Sequence, residues 1–119
     1  MLYTAQFRYS GPYRLDITVK SAVGWGAVFA PTWEMVRAYK RRNLNPQDFD
    51  NEYASQYYAL LISRYSTNEW AFKMLHDKAV TESVTVVCFC RAGTFCHRHL
   101  LCDFMHHNWN TPLGGEHLM

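Results

Sequence analysis

The sequence predicts an α/β protein, with a small, mostly parallel sheet flanked by helices in a single compact domain over residues 1–119. Three observations carry this reading. "SVTVVCFC" (83–90) is a near-continuous apolar run, the pattern of a strand buried on both faces, as in a parallel sheet. Helical periodicity precedes it, and a glycine-containing loop and a second helical pattern follow it. At 119 residues, 49% of them hydrophobic and 16% aromatic, the chain can also bury a core without a disulfide or a metal to staple it.

Taken in order, "LYTAQFRY" (2–9) alternates as a first strand and stops at Ser10-Gly11-Pro12. "YRLDITV" (13–19) reads as a second short strand or an extended loop. "AVGWGAVFAP" (22–31), with two glycines and a proline, reads as a connecting loop that presents Trp25. A helix begins at Pro31, with Trp33, Val36 and Tyr39 on its apolar side. Asn45-Pro46-Gln47-Asp48 supplies an N-cap residue, a first-turn proline and an early acid. Phe49, Tyr53, Tyr57, Leu60, Leu61 and Arg64 then keep helical spacing, which predicts a helix over 46–65. Ser66-x-x-Glu69 is a capping box that opens a further helix through Trp70, Met74 and Leu75. After the 83–90 strand and the loop "RAGTF", "CHRHLLCDFMHH" (96–107) is helical, with Leu100, Leu101 and Phe104 inward. The tail "NWNTPLGGEHLM" is turn-rich.

Twelve basic residues against ten acidic ones leave a net charge of +2, too little for the global field to point to nucleic acid. The Lys40-Arg41-Arg42 run suits the negative end of a helix dipole. No apolar run approaches the ~20 residues that span a bilayer, and "MLYTAQFRYS" lacks the features of a signal peptide. A cytoplasmic setting with reduced cysteines is therefore expected, with no membrane partner.

Residues 86–107 gather all four cysteines, four of the six histidines, and Arg91 and Arg98. A buried strand running through a glycine loop into a helix is the geometry of an anion site, because loop and first-turn amides converge there. Cys88, Cys90, Arg91, Cys96, His97 and Arg98 surround that spot, where a thiol shifts toward thiolate. Four readings stay open. Cys102, beside Leu101, and Cys88, within the strand, could be small core residues. Cys88-x-Cys90-x5-Cys96-His97 has donors enough for zinc, yet alternation along a strand points neighbouring thiols apart, so no metal is expected. His99, Asp103 and His106 share a helical face and read as a polar surface. Arg91 and Arg98 could hold an anion with no chemistry on sulfur. The fourth reading is a thiol enzyme. "CRAGT" (90–94) resembles the active loop of rhodanese-type sulfurtransferases, whose cysteine carries a persulfide. Cysteine phosphatases place an arginine six positions after their cysteine; Cys96 stands there, and Arg98 is two further on.

Cys88-x-Cys90 with Cys96-His97-Arg98 at the head of a helix resembles the end of the "domain of unknown function 488" family. "FRYSGPYRLDITVKS" (7–21) and "FAPTWEMV" (29–36) are similar to its small bacterial and phage branch. The resemblance implies a compact α/β domain in which Arg8, Arg14 and Asp16 share a pocket with Cys88, Cys96, His97 and Arg98. The position of Cys90 is often acidic in that family, and the resemblance implies no particular activity.

The resulting expectation is a pocket at the carboxyl ends of the strands that takes an anionic small molecule, of nucleotide or modified-base type, without a cofactor. In an enzyme of this kind Cys90 or Cys96 is the nucleophile, His97 the acid/base, and Arg98 with Arg8 the anion clamp. The rival is a non-catalytic interaction protein, such as a phage-encoded inhibitor of a host protein. It would present Trp25, Tyr13 and the basic helix end to a protein partner.

Overall fold

The computed structural model describes residues 1–40, 46–90 and 96–117. Arg41, Arg42 and Arg91, with the rest of the 91–95 loop, lie outside the described residues. Four strands, β1 (Leu2–Gln6), β2 (Arg14–Asp16), β3 (Val84–Cys88) and β4 (Leu113–Glu116), form one sheet in the order β2-β3-β1-β4. Every pairing is parallel, and β3 lies centrally with all five of its residues buried. The apolar run that predicted β3 is the one that a two-sided burial demands.

The helices are α1 (Trp33–Lys40), α2 (Pro46–Thr81) and α3 (His97–Trp109). Leu2 and Val84, opposite one another across β1 and β3, and Leu15 opposite Val86, send their side chains into the core with Phe72, Leu75, Leu101 and Met105 of the helices. Such alternation is set by the period of two along a strand. It also assigns Cys88 to the core side, in phase with Val84 and Val86.

Several predicted boundaries change. The second strand shrinks to three residues, because Ile17 leaves the ladder after one further bond from its amide to the Val87 carbonyl. The 22–31 loop contains a 3₁₀ helix, Gly24–Phe29. Arg64 Nη1 anchors it by donating to the carbonyls of Ala27, Val28 and Ala30, and Tyr57 donates to the Phe29 carbonyl at 2.6 Å. Trp25 accordingly packs edge-on to Phe29 and is half-buried, whereas Tyr13 is exposed.

The two helices predicted on either side of Ser66 are both present, as two helical stretches of α2 that meet across a kink at Asn68 (φ −134°, ψ 40°), two residues beyond the expected start. Ser66 does not cap a new start: its hydroxyl donates backward to the Ser63 carbonyl, and Thr67 and Asn68 donate to that of Arg64. Side chains that compete for helix carbonyls in this way turn the chain where the first stretch gives way to the second. The tail holds an edge strand, β4, paired to β1 with a register shift between Leu2 and Tyr3.

Gly26 packs so closely on β2 that a Cβ there would collide with the Asp16 carbonyl oxygen and approach Leu15 Cδ1 to 3.1 Å. Gly26→Ala is therefore expected to cost about 1–3 kcal/mol, as overpacking does. Urea denaturation reads this as a lower midpoint at unchanged slope, and a wild-type midpoint would refute the contact.

Candidate functional site

The carboxyl end of β3 meets the amino end of α3. Cys96 is the N-cap residue of α3, with extended backbone (φ −162°, ψ 156°) and no side-chain cap bond. Its thiol turns instead to Cys88, Sγ to Sγ 2.7 Å. Because β3 stops at Cys88, alternation does not govern Cys90, whose thiol hydrogen-bonds with both Cys88 and Cys96. The spacing argument that Cys88 and Cys90 point apart thus fails at the strand end.

Arg98, with no exposed surface, lies behind the thiols. Its Nη1 donates to Cys88 Sγ at 2.9 Å and to the Cys90 carbonyl at 3.1 Å, and its Nε donates to Glu116 Oε1 at 2.7 Å. Glu116, at the end of β4, also accepts from Thr4 Oγ1 at 3.0 Å and lies 3.5 Å from His99 Nε2. The buried guanidinium is thereby held between a carboxylate and a sulfur.

These contacts push the thiols in opposite directions. Hydrogen bonds from Cys90 and Cys96, with the charge of Arg98 added, hold the Cys88 thiol well below its usual range. Cys90, which donates to Cys88, is pushed up to about 11. Burial first, and then its bond to Cys88, pushes Cys96 far up. The contacts thus favour the charge on Cys88, where the helix-start argument favours Cys96. Cys102, shielded on α3, is raised to about 12 by burial.

His97 is buried, and its Nε2 lies 2.9 Å from the Ile17 carbonyl. A carbonyl only accepts, so Nε2 carries the proton. Burial lowers the pKa of the ring and keeps it neutral, which leaves the Nδ1 lone pair facing Cys96 Sγ at 3.5 Å. Tyr57 meets the His97 ring edge-on at 5.6 Å and fixes its plane.

In front of the thiols is a cavity of about 300 Å³. Cys88, Cys90, Cys96 and His97 form one side; Pro31, Trp33, Val36 and Tyr39, with Tyr53 of α2, form an apolar and aromatic wall. Lys20 and Phe89, both exposed, lie at its rim, with Lys20 Nζ 5.9 Å from the Phe89 ring centroid.

The structure brings together Cys88, Cys90, Cys96, His97 and Arg98, and it keeps Arg8, Arg14 and Asp16 apart from them. Arg8 is exposed and does not line the cavity. Arg14 donates to the Phe7 and Tyr9 carbonyls and covers the Phe7 ring, which stacks on Phe89. Asp16 accepts from Thr18 N and Ser21 Oγ, shaping the turn that carries Lys20. The reason is register: Leu15 takes the inward position of β2, so Arg14 and Asp16 point the other way. Glu116, Lys20 and Tyr53 are site residues that the sequence reading did not single out.

Cys88, Cys96 and His97 also place two sulfurs and a ring nitrogen within 4.8 Å of one another, a grouping that could hold a metal ion. The premise that the thiols point apart, on which no metal was expected, does not hold at this site. No helix among the described residues is long and apolar enough to cross a membrane.

No curated protein and no solved structure matches the chain. A family model described as "Active DUF488-N3 subclade" matches residues 12–109, a span that includes β2, β3, the thiol cluster and all of α3. The chain therefore belongs to the DUF488-N3a family.

Proposed function

We propose that the cavity is a small-molecule site in which the Cys88 thiolate is the reactive group. The observation that carries this reading is the placement of Cys88 Sγ, 2.9 Å from a buried guanidinium nitrogen and 2.7 Å from a second thiol, on the wall of an aromatic cavity. A sulfur held as thiolate is a nucleophile near neutral pH. Cys96, with His97 Nδ1 behind it, is placed to protonate a leaving group. The nucleophile is thus Cys88, with Cys90 and Cys96 as its donors.

The volume decides the ligand's size. At about 300 Å³ the cavity stands at the lower end of ligand sites, which run to ~1,000 Å³. It suits one ring system of modified-base size better than a whole nucleotide. Lys20 at the rim supports an anionic substituent on that ring, and Arg98, engaged with Glu116, does not serve as its clamp. The word "active" in the family's description agrees with a chemically competent site. A reducing, cytoplasmic setting fits thiols that must stay free.

The test compares chloroacetamide with 4-(chloroacetamido)benzoate, a ring carrying a carboxylate and the same electrophile, with peptide mapping of the label. The aromatic probe is expected to modify Cys88 with a rate that saturates with concentration. Val36→Trp, which fills the cavity, is expected to remove the saturation, and Lys20→Ala to raise the half-saturating concentration several-fold. Strictly linear kinetics for both reagents, with label on Cys102 as readily as on Cys88, would sink the reading.

A further inference from the structure

We infer that Cys88 and Cys96 form a two-electron dithiol couple that reduces hydroperoxides, with Cys88 the attacking sulfur, Cys96 the resolving thiol and His97 the proton acceptor. The inference rests on the Cys88 thiolate of the proposed site, and goes beyond it by giving the second thiol and the imidazole definite roles. The two sulfurs are 2.7 Å apart, so bond formation between them needs a movement well under the length of a covalent bond. They sit on separate elements, the end of β3 and the cap of α3, next to a cavity open to a small oxidant.

The chemistry balances in two steps. The Cys88 thiolate attacks the distal oxygen of a hydroperoxide, an S–O bond forms, and the O–O bond breaks. The alkoxide or hydroxide so released takes a proton from solvent and leaves as alcohol or water. The sulfur has been oxidised to a sulfenic acid and the peroxide reduced. The Cys96 thiol then passes its proton to His97 Nδ1, 3.5 Å away, and its sulfur attacks Cys88. The S–O bond breaks, the hydroxide takes the proton back from His97, and water leaves behind a Cys88–Cys96 disulfide. Two equivalents of a small thiol reductant return both cysteines to the starting state.

His97 is suited to this because its other nitrogen is held by the Ile17 carbonyl, so the ring cannot turn away or present a hydrogen to the sulfur. Arg98 has its own part, because the guanidinium that compensates the Cys88 charge also keeps that sulfur on the cavity side of Glu116.

The experiment uses the full chain, reduced and desalted, treated with an equimolar amount of hydrogen peroxide and then mapped without reduction. The expected result is one disulfide, between Cys88 and Cys96, with no adduct when dimedone is present. Cys96→Ser and Cys96→Ala are both made, so that one folded variant at least is in hand. Either is expected to accumulate a dimedone adduct on Cys88. Cys88→Ser is expected to lower peroxide consumption at least 100-fold with dithiothreitol as reductant, and Cys102→Ser to leave it unchanged. His97→Gln should leave the first step fast and slow the second, so that dimedone now traps Cys88 in a chain that still holds Cys96. A disulfide between Cys88 and Cys90 would overturn the assignment of Cys96. No oxidation at equimolar peroxide would overturn the couple, and labelling of Cys88 by the aromatic chloroacetamide would then still stand for the small-molecule site.

Discussion

Arg98→Met is expected to destabilise the protein by about 3–5 kcal/mol, the cost of removing one partner from a buried ion pair. Natural domains keep only ~5–15 kcal/mol in total, so this one change removes a large share of the margin. The physical reason lies in what remains. Arg98 has no exposed surface, and its Nε–Oε1 bond to Glu116 is 2.7 Å long with Glu116 itself only 13% exposed. Methionine fills much of the volume yet leaves the carboxylate and the Cys88 sulfur facing each other without the cation between them.

Glu116→Gln, which keeps an oxygen acceptor and drops the charge, is expected to cost less. The double variant should fall short of the sum, because the two side chains share one interaction. Arg14→Ala is the contrast: that guanidinium is exposed and bonded to two carbonyls on the surface. Urea unfolding of the four variants checks the ordering. A loss below about 1 kcal/mol for Arg98→Met would mean that the ion pair holds nothing together.

Arg98 also shows how far a sequence can be read. Its place at the head of a helix was legible from the Cys96-His97-Arg98 triplet, and so was the strand that precedes it, because five buried residues in a row leave a strong apolar signature. Its partner was not legible. Glu116 lies in "LGGE", a stretch without β-branched residues, which becomes a strand only because β1 offers an unpaired edge. Nothing local in those four residues specifies that pairing.

The thiols follow the same logic. Spacing put Cys88 and Cys90 on opposite faces on the premise that the strand ran to residue 90, and the premise failed two residues early. The helix-start rule selected Cys96 as the thiolate, but that rule counts only local amides. What favours the charge on Cys88 is first the hydrogen bonds from Cys90 and Cys96 and then Arg98, ten residues away in the chain. At Asn68 the break between two helical stretches was legible to within two residues; the side chains there bond backward along the first stretch, so Ser66 itself is not the cap.

Iodoacetamide labelling of Cys88 is expected to change less than about threefold between pH 6 and pH 8, where an unperturbed thiol of pKa ~8.5 accelerates roughly 75-fold. The ionisable groups against Cys88 are shifted away from that window. Cys90 is raised to about 11, Cys96 is raised by burial and Tyr53 by burial, so all three stay protonated. His97 and His99 are both lowered by burial, which favours their neutral forms, while Arg98 stays cationic with Glu116 beyond it. The Cys88 thiolate therefore meets a nearly constant field, and its reaction rate is expected to change little. Cys90 should begin to label only as pH approaches about 11, and Cys102 only toward about 12.

Stability has the matching sign. The folded Cys88 pKa lies below the unfolded one, so its contribution is complete above the unfolded value and is lost as pH falls below it. Cys90 and Cys96, shifted the other way, withdraw stability above pH 9. The urea midpoint should therefore rise from pH 6 toward 9 and fall beyond it, and Cys88→Ala should flatten the rising limb. A labelling rate at Cys88 that climbs tenfold per pH unit from 6 to 8 would show an ordinary thiol, and the site would then be a cavity lined by sulfur with no thiolate in it.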